Sequence, residues 1–280
     1  PSRHFNGGVE LQTSELLDPY GYNRAGVNLT GPIFWNKDRT YSVLGYFVAA
    51  DFQYKEDGSP LALGMYKVKD DVLAELEKNP LRKSESGYGS FQNAEFIHME
   101  DLEELKSTLN SNEYNLNSSM KLDVKSGKNS TLTFGGSYNA YNYHNYNWYH
   151  SIFNYNRNSL STGNTWRVFG RFTQRFPSDK ESNNLIKNVY YSLQADYTSI
   201  YAKDQDAELK DNLFGYGYIG KFNTYKMKGY DLVEDTTQAI GYRLVMNGFQ
   251  DTLVSYQRSE LNPVMANYTS NYYDLYAGDP

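Results

Sequence analysis

The sequence lacks cysteine altogether, and its 280 residues include only four histidines. The absence of cysteine excludes a disulfide scaffold and a zinc–thiolate site, and it leaves the redox compartment undecided. No run approaches the roughly 18–20 apolar residues that a membrane-spanning helix needs. The 27 basic residues are outnumbered by 33 acidic ones. Because no basic stripe is available for phosphates, we do not expect nucleic acid as a partner.

Common catalytic motifs are also missing, since the sequence has no G-x-S-x-G, no H-E-x-x-H and no phosphate-binding loop. The adjacent carboxylates Asp70-Asp71 and Glu103-Glu104 lie in stretches with helical periodicity, where a solvated helix face explains them. His144 and His150 have no acidic neighbour at a spacing typical of metal ligands. We therefore expect no enzymatic activity, no catalytic residue, no metal and no cofactor.

Tyrosine is abundant, with 28 residues, and much of it falls in segments that alternate between two kinds of side chain. Met120, Leu122 and Val124 alternate with charged residues. After the short stretch SGKNS the alternation resumes through Leu132 and Tyr138. Two alternating segments joined by a glycine-containing turn predict a β-hairpin.

Similar segments recur along most of the chain, and many of them run for ten residues or more. They occupy residues 8–13, 23–34, 40–55, 165–176 and 188–201, and two further segments lie within 213–225 and 240–256. Ten residues is about the length that a tilted strand needs to cross a bilayer, and transmembrane strands alternate lipid-facing with lumen-facing residues. The predicted fold class is all-β, with antiparallel transmembrane β-barrel strands.

The connections between these segments alternate in length. Residues 36–39 and 126–130 form short turns, whereas 55–117 is a very long loop that we expect to be extracellular and to carry its own small fold. Apolar periodicity within this loop predicts two helices, at 68–80 and 98–110. The final segment, 257–280, is predicted to be a loop, and the glycine-rich GYGYIG at 215–220 is predicted to lie inside a strand.

The segment from Tyr138 to Ser159 is almost entirely tyrosine, asparagine, histidine, tryptophan and phenylalanine. We expect a loop at 145–163, between a strand that starts at Thr131 and one that starts near Thr165. Three interpretations are open: the aromatic girdle and rim of a barrel, a ligand-facing surface that stacks on sugars or peptides, or aggregating low complexity. The candidate ligand-binding residues are His144, Tyr146, Trp148, Tyr149 and His150.

Three separated segments resemble a known family. They read GGVELQTSELLDPYGYNRAGVNLTGPI, NTWRVFGRFTQRF and FQDTLVSYQRSELNPVMANYTSNYYDLY. They resemble TonB-dependent outer-membrane receptors of the SusC/Oar-like kind, in the region that follows the plug domain. The resemblance implies that residues 1–280 are an early portion of a barrel of roughly 22 strands. The plug, the TonB-binding segment and the remaining strands would then lie outside this chain, with Pro1 just past the plug and Pro280 inside a loop.

The same resemblance implies a location in the outer membrane of a Gram-negative bacterium and energised uptake of a nutrient such as a glycan, a peptide or a chelate. The implied partners are outer-membrane lipid, TonB through a segment not in this chain, and a surface lipoprotein that acts as a lid. Two alternatives are open. One is a non-transporting scaffold or adhesin of the outer membrane, and the other is a soluble carbohydrate-binding β-sandwich.

Overall fold

The computed structural model describes residues 4–87, 89–177 and 188–276. Within them, β-strands are by far the commonest element, and two α-helices are present. The elements are β1 (Asn6–Thr13), β2 (Asn23–Trp35), β3 (Ser42–Lys55), β4 (Met65–Val68), α1 (Asp70–Lys78), β5 (Leu81–Lys83), β6 (Ser90–Gln92), β7 (Leu102–Leu105), β8 (Glu113–Lys125), β9 (Ser130–Asn145), β10 (Ser159–Phe176), β11 (Val189–Asp206), β12 (Gly220–Glu234), β13 (Tyr242–Arg258) and α2 (Pro263–Leu275).

The chain divides into two compact units. The first unit consists of residues 1–67 and 103–210, and the second consists of residues 68–102 and 211–280. The first unit contains a seven-stranded sheet in the order β1-β2-β3-β8-β9-β10-β11. Every neighbouring pair in that sheet is antiparallel. The all-β prediction is confirmed at this level.

The strands of this sheet are long, as the sequence predicts. Apart from β1, they contain between 13 and 18 residues, against about 5–6 in most globular sheets. Short connections at 36–41 and 126–129 join strands at one end of the sheet, where the twelve residues 177–188 also connect β10 to β11. Longer ones at 14–22, 56–112 and 146–158 join strands at the other end. We call these the short-connection end and the long-connection end.

The register places most of the apolar residues of all seven strands on one face. Residues that are directly paired across neighbouring strands share a face, and the pairs run from Val48 to Met120, then to Gly136, Val168 and Tyr197. The same parity extends along every strand because side chains alternate with a period of two. We call this side the apolar face; on it lie Val9, Leu11, Ala25, Val27, Leu29, Leu44, Tyr46, Val48, Phe52, Leu116, Met120, Leu122, Val124, Leu132, Phe134, Tyr138, Trp166, Val168, Phe172, Val189, Tyr191, Leu193 and Tyr197.

The opposite side, the polar face, carries mainly charged residues, amides, hydroxyls and glycines. It includes Glu10, Arg24, Asn28, Asp51, Asn117, Ser119, Lys121, Asp123, Thr133, Ser137, Asn139, Thr165, Arg167, Arg171, Gln194 and Asp196. The sequence predicts the alternation within each strand. The register adds that the same kind of residue lies side by side across the whole sheet.

The apolar face is not buried. Val9 and Leu11 are each 76% exposed, and Leu193 is 72% exposed. In the described part of the chain, Pro32 is the one buried apolar side chain of the seven-stranded sheet, and the other buried apolar side chains lie outside it: Met65, Val68, Leu81 and Ala266. The sheet therefore has no conventional hydrophobic core on either side.

The second unit pairs β12 with β13 in an antiparallel hairpin and packs α1 against α2. Asparagines of α2 tie the two helical segments together: Asn271 Oδ1 accepts from Leu81 N at 2.9 Å, and Asn267 Nδ2 donates to Glu77 O at 3.2 Å. Ala266, on the same helix α2, is fully buried. Over the described residues, no helix is both long enough and apolar enough to cross a bilayer.

The first predicted helix is confirmed as α1, with Asp70 and Asp71 in its first turn and Asn79 at its end. The second, at 98–110, is wrong. Residues Met99–Asp101 form a single 3₁₀ turn, and β7 then pairs with β4. Leucines at 102, 105 and 109 fit a helical stripe, but pairing with a distant strand overrides that local pattern. Residues 68–102 group with 211–280 in the second unit.

The final segment also differs from the prediction, because Pro263–Leu275 is helix α2 and not loop. Asn262 Oδ1 accepts from Met265 N, and Pro263 occupies the first turn, so a helix start signal was present in the sequence. The glycine-rich stretch at 215–220 is not inside a strand either. A 3₁₀ turn covers Leu213–Tyr216, capped by Asn212, and β12 begins only at Gly220.

Candidate functional site

The loop between β9 and β10 contains most of the predicted ligand-binding residues. It spans residues 146–158, shorter than the predicted 145–163, because β10 begins at Ser159 and not near Thr165. Pairing with both β9 and β11 extends β10 through polar residues that carry little strand signal of their own. Tyr146 follows β9 directly, and a 3₁₀ turn covers Trp148–His150.

Trp148 and Tyr149 form an exposed aromatic stack. Their ring centroids lie 3.8 Å apart with an interplanar angle of 27°, and the two residues are 65% and 74% exposed. Asn147 fixes the turn, because its Oδ1 accepts from Tyr149 N at 3.1 Å. The loop therefore presents flat apolar surface to solvent from a hydrogen-bonded turn.

The two histidines differ from this pair in environment. His144 is the next-to-last residue of β9 and donates its backbone N–H to Asn112 O at 3.1 Å. His150 N donates to Asn147 O at 2.9 Å. Both Nδ1 atoms are shielded from solvent and have no hydrogen-bond partner among the described residues. In the same part of the chain, no group of three histidine, aspartate or glutamate side chains is placed to hold a metal ion.

Asn158 anchors this loop, and sequence reasoning missed it. The residue is fully buried. Its Nδ2 donates to Asn110 O at 3.1 Å, and its Oδ1 accepts from Asn147 N at 3.2 Å. It thus connects the loop that carries the aromatic stack to residues just before β8. Nothing distinguishes Asn158 from the other asparagines of an asparagine-rich stretch, so the sequence offers no signal for this role.

A second buried polar contact orders the neighbouring chain. Asp57 accepts from Thr108 N at 2.7 Å and from the Thr108 hydroxyl, while its other oxygen accepts from Ser59 N at 2.9 Å. Ser111 donates to Thr108 O at 3.0 Å. Asp57, Thr108 and Ser111 are all buried. Because buried polar groups that are hydrogen-bonded favour one arrangement, the long-connection end of the first unit is an ordered surface.

The polar face of the sheet holds a cavity of about 460 Å³. Arg24, from β2, lies in it between two carboxylates: its Nε is 2.6 Å from Asp51 Oδ2, and its nearer terminal nitrogen is 3.7 Å from Glu10 Oε1. Across the cavity, Asn139 Nδ2 donates to Asn117 Oδ1 at 3.0 Å. Five strands therefore contribute hydrogen-bonding groups to one wall.

An adjoining cavity of about 390 Å³ lies next to it on the same face. Its lining includes the cations Lys121 and Arg167 and the aromatic ring of Phe169. Ser119 and Ser137 line both cavities, so the two are direct neighbours. Each cation also forms an ion pair with a carboxylate that does not line the cavity. Lys121 lies 3.1 Å from Asp123, and Arg167 lies 3.4 Å from Asp196.

The ring of Phe169 lies over a glycine on the neighbouring strand. A Cβ atom on Gly135 would lie 2.5 Å from the ring of Phe169, so only glycine leaves room for the ring in this position. An aromatic ring that covers a glycine on the adjacent strand is a known way to fill a sheet surface.

Charge is segregated along the strands of the polar face. The dividing line is the row of paired residues from Glu10 through Asp51 to Thr165. From that row to the long-connection end, five carboxylates outnumber two cations: Glu10, Asp51, Glu113, Asp204 and Asp206 against Arg24 and Lys55. Toward the short-connection end, five cations outnumber two carboxylates: Lys121, Lys125, Arg167, Arg171 and Arg175 against Asp123 and Asp196.

Comparisons with protein-family models, with curated proteins and with solved structures found no match to this chain. The chain is mainly antiparallel β, and its one large sheet has an apolar face and a polar face. Its candidate sites are the exposed loop that carries Trp148 and Tyr149 and the pair of cavities on the polar face.

Proposed function

We propose that the chain is a wall section of an outer-membrane transport barrel that takes up a nutrient ligand by TonB-dependent transport. The observation that carries the proposal is the apolar face. Seven consecutive strands direct their apolar side chains to one exposed side of the sheet. The largest apolar patches on ordinary soluble monomers cover only a few hundred Å², and a surface of this extent needs an apolar environment.

A lipid bilayer suits this face better than a second layer of protein does. Lipid-facing strands alternate apolar and polar residues, are about ten residues or more in length, and present aromatic side chains toward the headgroups. The apolar face meets the first two conditions, and it carries aromatic side chains that include Tyr46, Tyr138, Trp166, Tyr191 and Tyr197.

The polar face supports its assignment to the barrel lumen, and the connections support an assignment of the two ends of the sheet to the periplasmic and extracellular sides. A barrel that conducts or holds a polar ligand lines its interior with polar side chains, and it has short turns on the periplasmic side and longer loops outside. In this assignment, the short-connection end is periplasmic and the long-connection end is extracellular. The loop that carries Trp148 and Tyr149 is then available to ligand or to a lipoprotein lid.

The family within this class rests on the resemblance of residues 7–33, 164–176 and 249–276 to SusC/Oar-like receptors. TonB dependence, the plug and the lipoprotein partner follow from that resemblance.

The proposal is tested in two steps in a Gram-negative host that produces the natural full-length protein. Fractionation first asks whether the protein sediments with the outer membrane and needs detergent for extraction. Uptake of fluorescent glycan and peptide libraries is then measured with and without a protonophore, which removes the energy source of TonB. The proposal predicts outer-membrane location and uptake that the protonophore abolishes.

The outcomes separate the alternatives. Insertion into the outer membrane without energised uptake would favour the scaffold or adhesin. Recovery in the soluble fraction without detergent would contradict the membrane assignment, and binding of glycan by that soluble protein would favour the carbohydrate-binding sandwich.

A further inference from the structure

The two adjoining cavities on the polar face differ in charge, and this difference indicates what they bind. The cavity beside β1, β2 and β3 contains Glu10 and Asp51, with a single cation between them. The next cavity contains Lys121 and Arg167 and no carboxylate in its lining. A ligand that spans Ser119 and Ser137 would meet acidic groups at one end and basic groups at the other.

We propose that these cavities together form a binding site for a zwitterionic ligand of the short-peptide class. The peptide's ammonium end lies toward Glu10 and Asp51, and its carboxylate end lies toward Lys121 and Arg167. The inference rests on the proposed function, because the bound peptide is the cargo of the transporter. It adds the class of that cargo and its orientation in the lumen.

The charged groups are available to a ligand. The side chains of Glu10, Lys121 and Arg167 are 54%, 45% and 46% exposed, respectively. Their existing ion pairs span 3.1–3.7 Å, and pairs this exposed contribute little energy, so a ligand's charged end replaces them at small cost. The wider segregation of charge along the strands adds a field of the same direction, since fields summed over many side chains act beyond single contacts.

The remaining lining also suits a peptide. The amides of Asn117 and Asn139 offer both donors and acceptors, which match the N–H and C=O groups of a peptide backbone. Phe47 and Phe169 supply apolar surface for a side chain at the basic end. A polyanionic ligand is disfavoured by Glu10 and Asp51.

The test measures binding of a leucine-containing octapeptide to the full chain by isothermal titration calorimetry, in detergent micelles or in buffer, because β1 and β10 are five strand spacings apart, about 24 Å. The free peptide is compared with its N-acetylated and C-amidated forms and with a neutral linear tetrasaccharide. Glu10→Gln and Arg167→Gln remove one charge from each cavity. Lys128→Gln, in the short turn between β8 and β9, is the matched control for charge removal away from both cavities.

We expect the free peptide to bind more tightly than either capped form. Glu10→Gln should weaken it about fivefold, as expected for one exposed ion pair, and should not weaken the N-acetylated form. Arg167→Gln should show the same selectivity toward the C-amidated form. Such non-additivity identifies direct pairing, whereas a general structural effect of either variant would weaken all forms alike.

Equal affinity for free and capped peptides, or binding of the tetrasaccharide alone, would overturn the inference. Neither result would touch the membrane assignment, which fractionation tests separately. Conversely, a soluble protein that bound the free peptide with this selectivity would contradict the proposed function and leave the site standing.

Discussion

The two faces of the seven-stranded sheet share the same strands, hydrogen bonds and connections, yet they differ completely in what their side chains can do. The apolar face has large exposed hydrophobic residues and no protein core beneath it. The polar face has ion pairs, amide pairs and two adjoining cavities. Under the proposed function, these two exposed surfaces have different surroundings. The apolar face would lie against lipid, and the polar face would line the lumen.

The largest expected effect comes from placing a charge on the apolar face. We expect Val168→Arg to cost about 2–4 kcal/mol of folding free energy in lipid, because a lipid-facing arginine is strongly unfavourable near the bilayer centre. Val168 is 51% exposed, so the larger side chain meets no steric barrier. The cost is measured by urea-induced unfolding in lipid vesicles.

The matched control is Thr165→Arg, which lies on the same strand but on the polar face. It should change stability by less than about 1 kcal/mol, as for most surface substitutions. If the two arginines proved equally well tolerated, the two faces would not differ in their surroundings.

A smaller effect is expected from removing the buried polar side chain of Asn158. Asn158→Ala removes the hydrogen bonds to Asn110 O and Asn147 N and leaves those groups unpaired. We expect about 1–3 kcal/mol of local destabilisation, seen as faster hydrogen exchange in residues 146–158 and altered Trp148 fluorescence.

The exposed Asn156 is the control for that substitution. Asn156→Ala should leave both signals unchanged, and the fluorescence should not respond to either variant if the loop around Trp148 is already mobile.

Within the polar face, Gly135→Ala should cost about 1 kcal/mol, because the new methyl group would displace the ring of Phe169. Gly170 lies on the apolar face, where a Cβ atom would meet Phe134 at an ordinary 3.7 Å. Gly170→Ala should therefore be nearly neutral in the same unfolding assay. A reversed order of the two variants would show that the close approach at Gly135 does not constrain the sheet.

The smallest effect concerns the turn between β12 and β13, which belongs to neither face. The hydroxyl and the backbone N–H of Thr237 donate to Asp235 at 2.5 Å and 3.0 Å, and these bonds lower the pKa of the Asp235 carboxyl. A carboxyl with a lowered pKa in the folded state adds stability above its unfolded pKa, and that stability is lost as the pH falls through the folded value.

Thr237→Val should move the pKa of Asp235 back toward its ordinary value, as measured by nuclear magnetic resonance titration of the carboxyl carbon. An unchanged titration would show that the hydroxyl does not hold the carboxylate.

The long strands of the sheet and their two sides could be predicted from the sequence alone, because a period of two is a local property, but the short strands β4 to β7 could not. The sequence could not show that Glu10, Arg24 and Asp51 meet, since these residues lie on three strands and only the register brings them together. Local patterns also misled where distant pairing decided the structure, as at Leu102–Leu105. The role of Asn158 depends on burial, which nothing in its neighbourhood along the chain reveals.

The most direct test of the difference between the faces uses the absence of cysteine, which makes every introduced cysteine a unique labelling site. Single cysteines at positions 164–172, one variant for each position, would be spin-labelled and reconstituted in lipid vesicles. Accessibility is then compared between oxygen, which concentrates in lipid, and a water-soluble nickel chelate. The account predicts strict alternation, with even positions accessible to oxygen and odd positions to the nickel chelate. Equal accessibility of odd and even positions to the nickel chelate would contradict it.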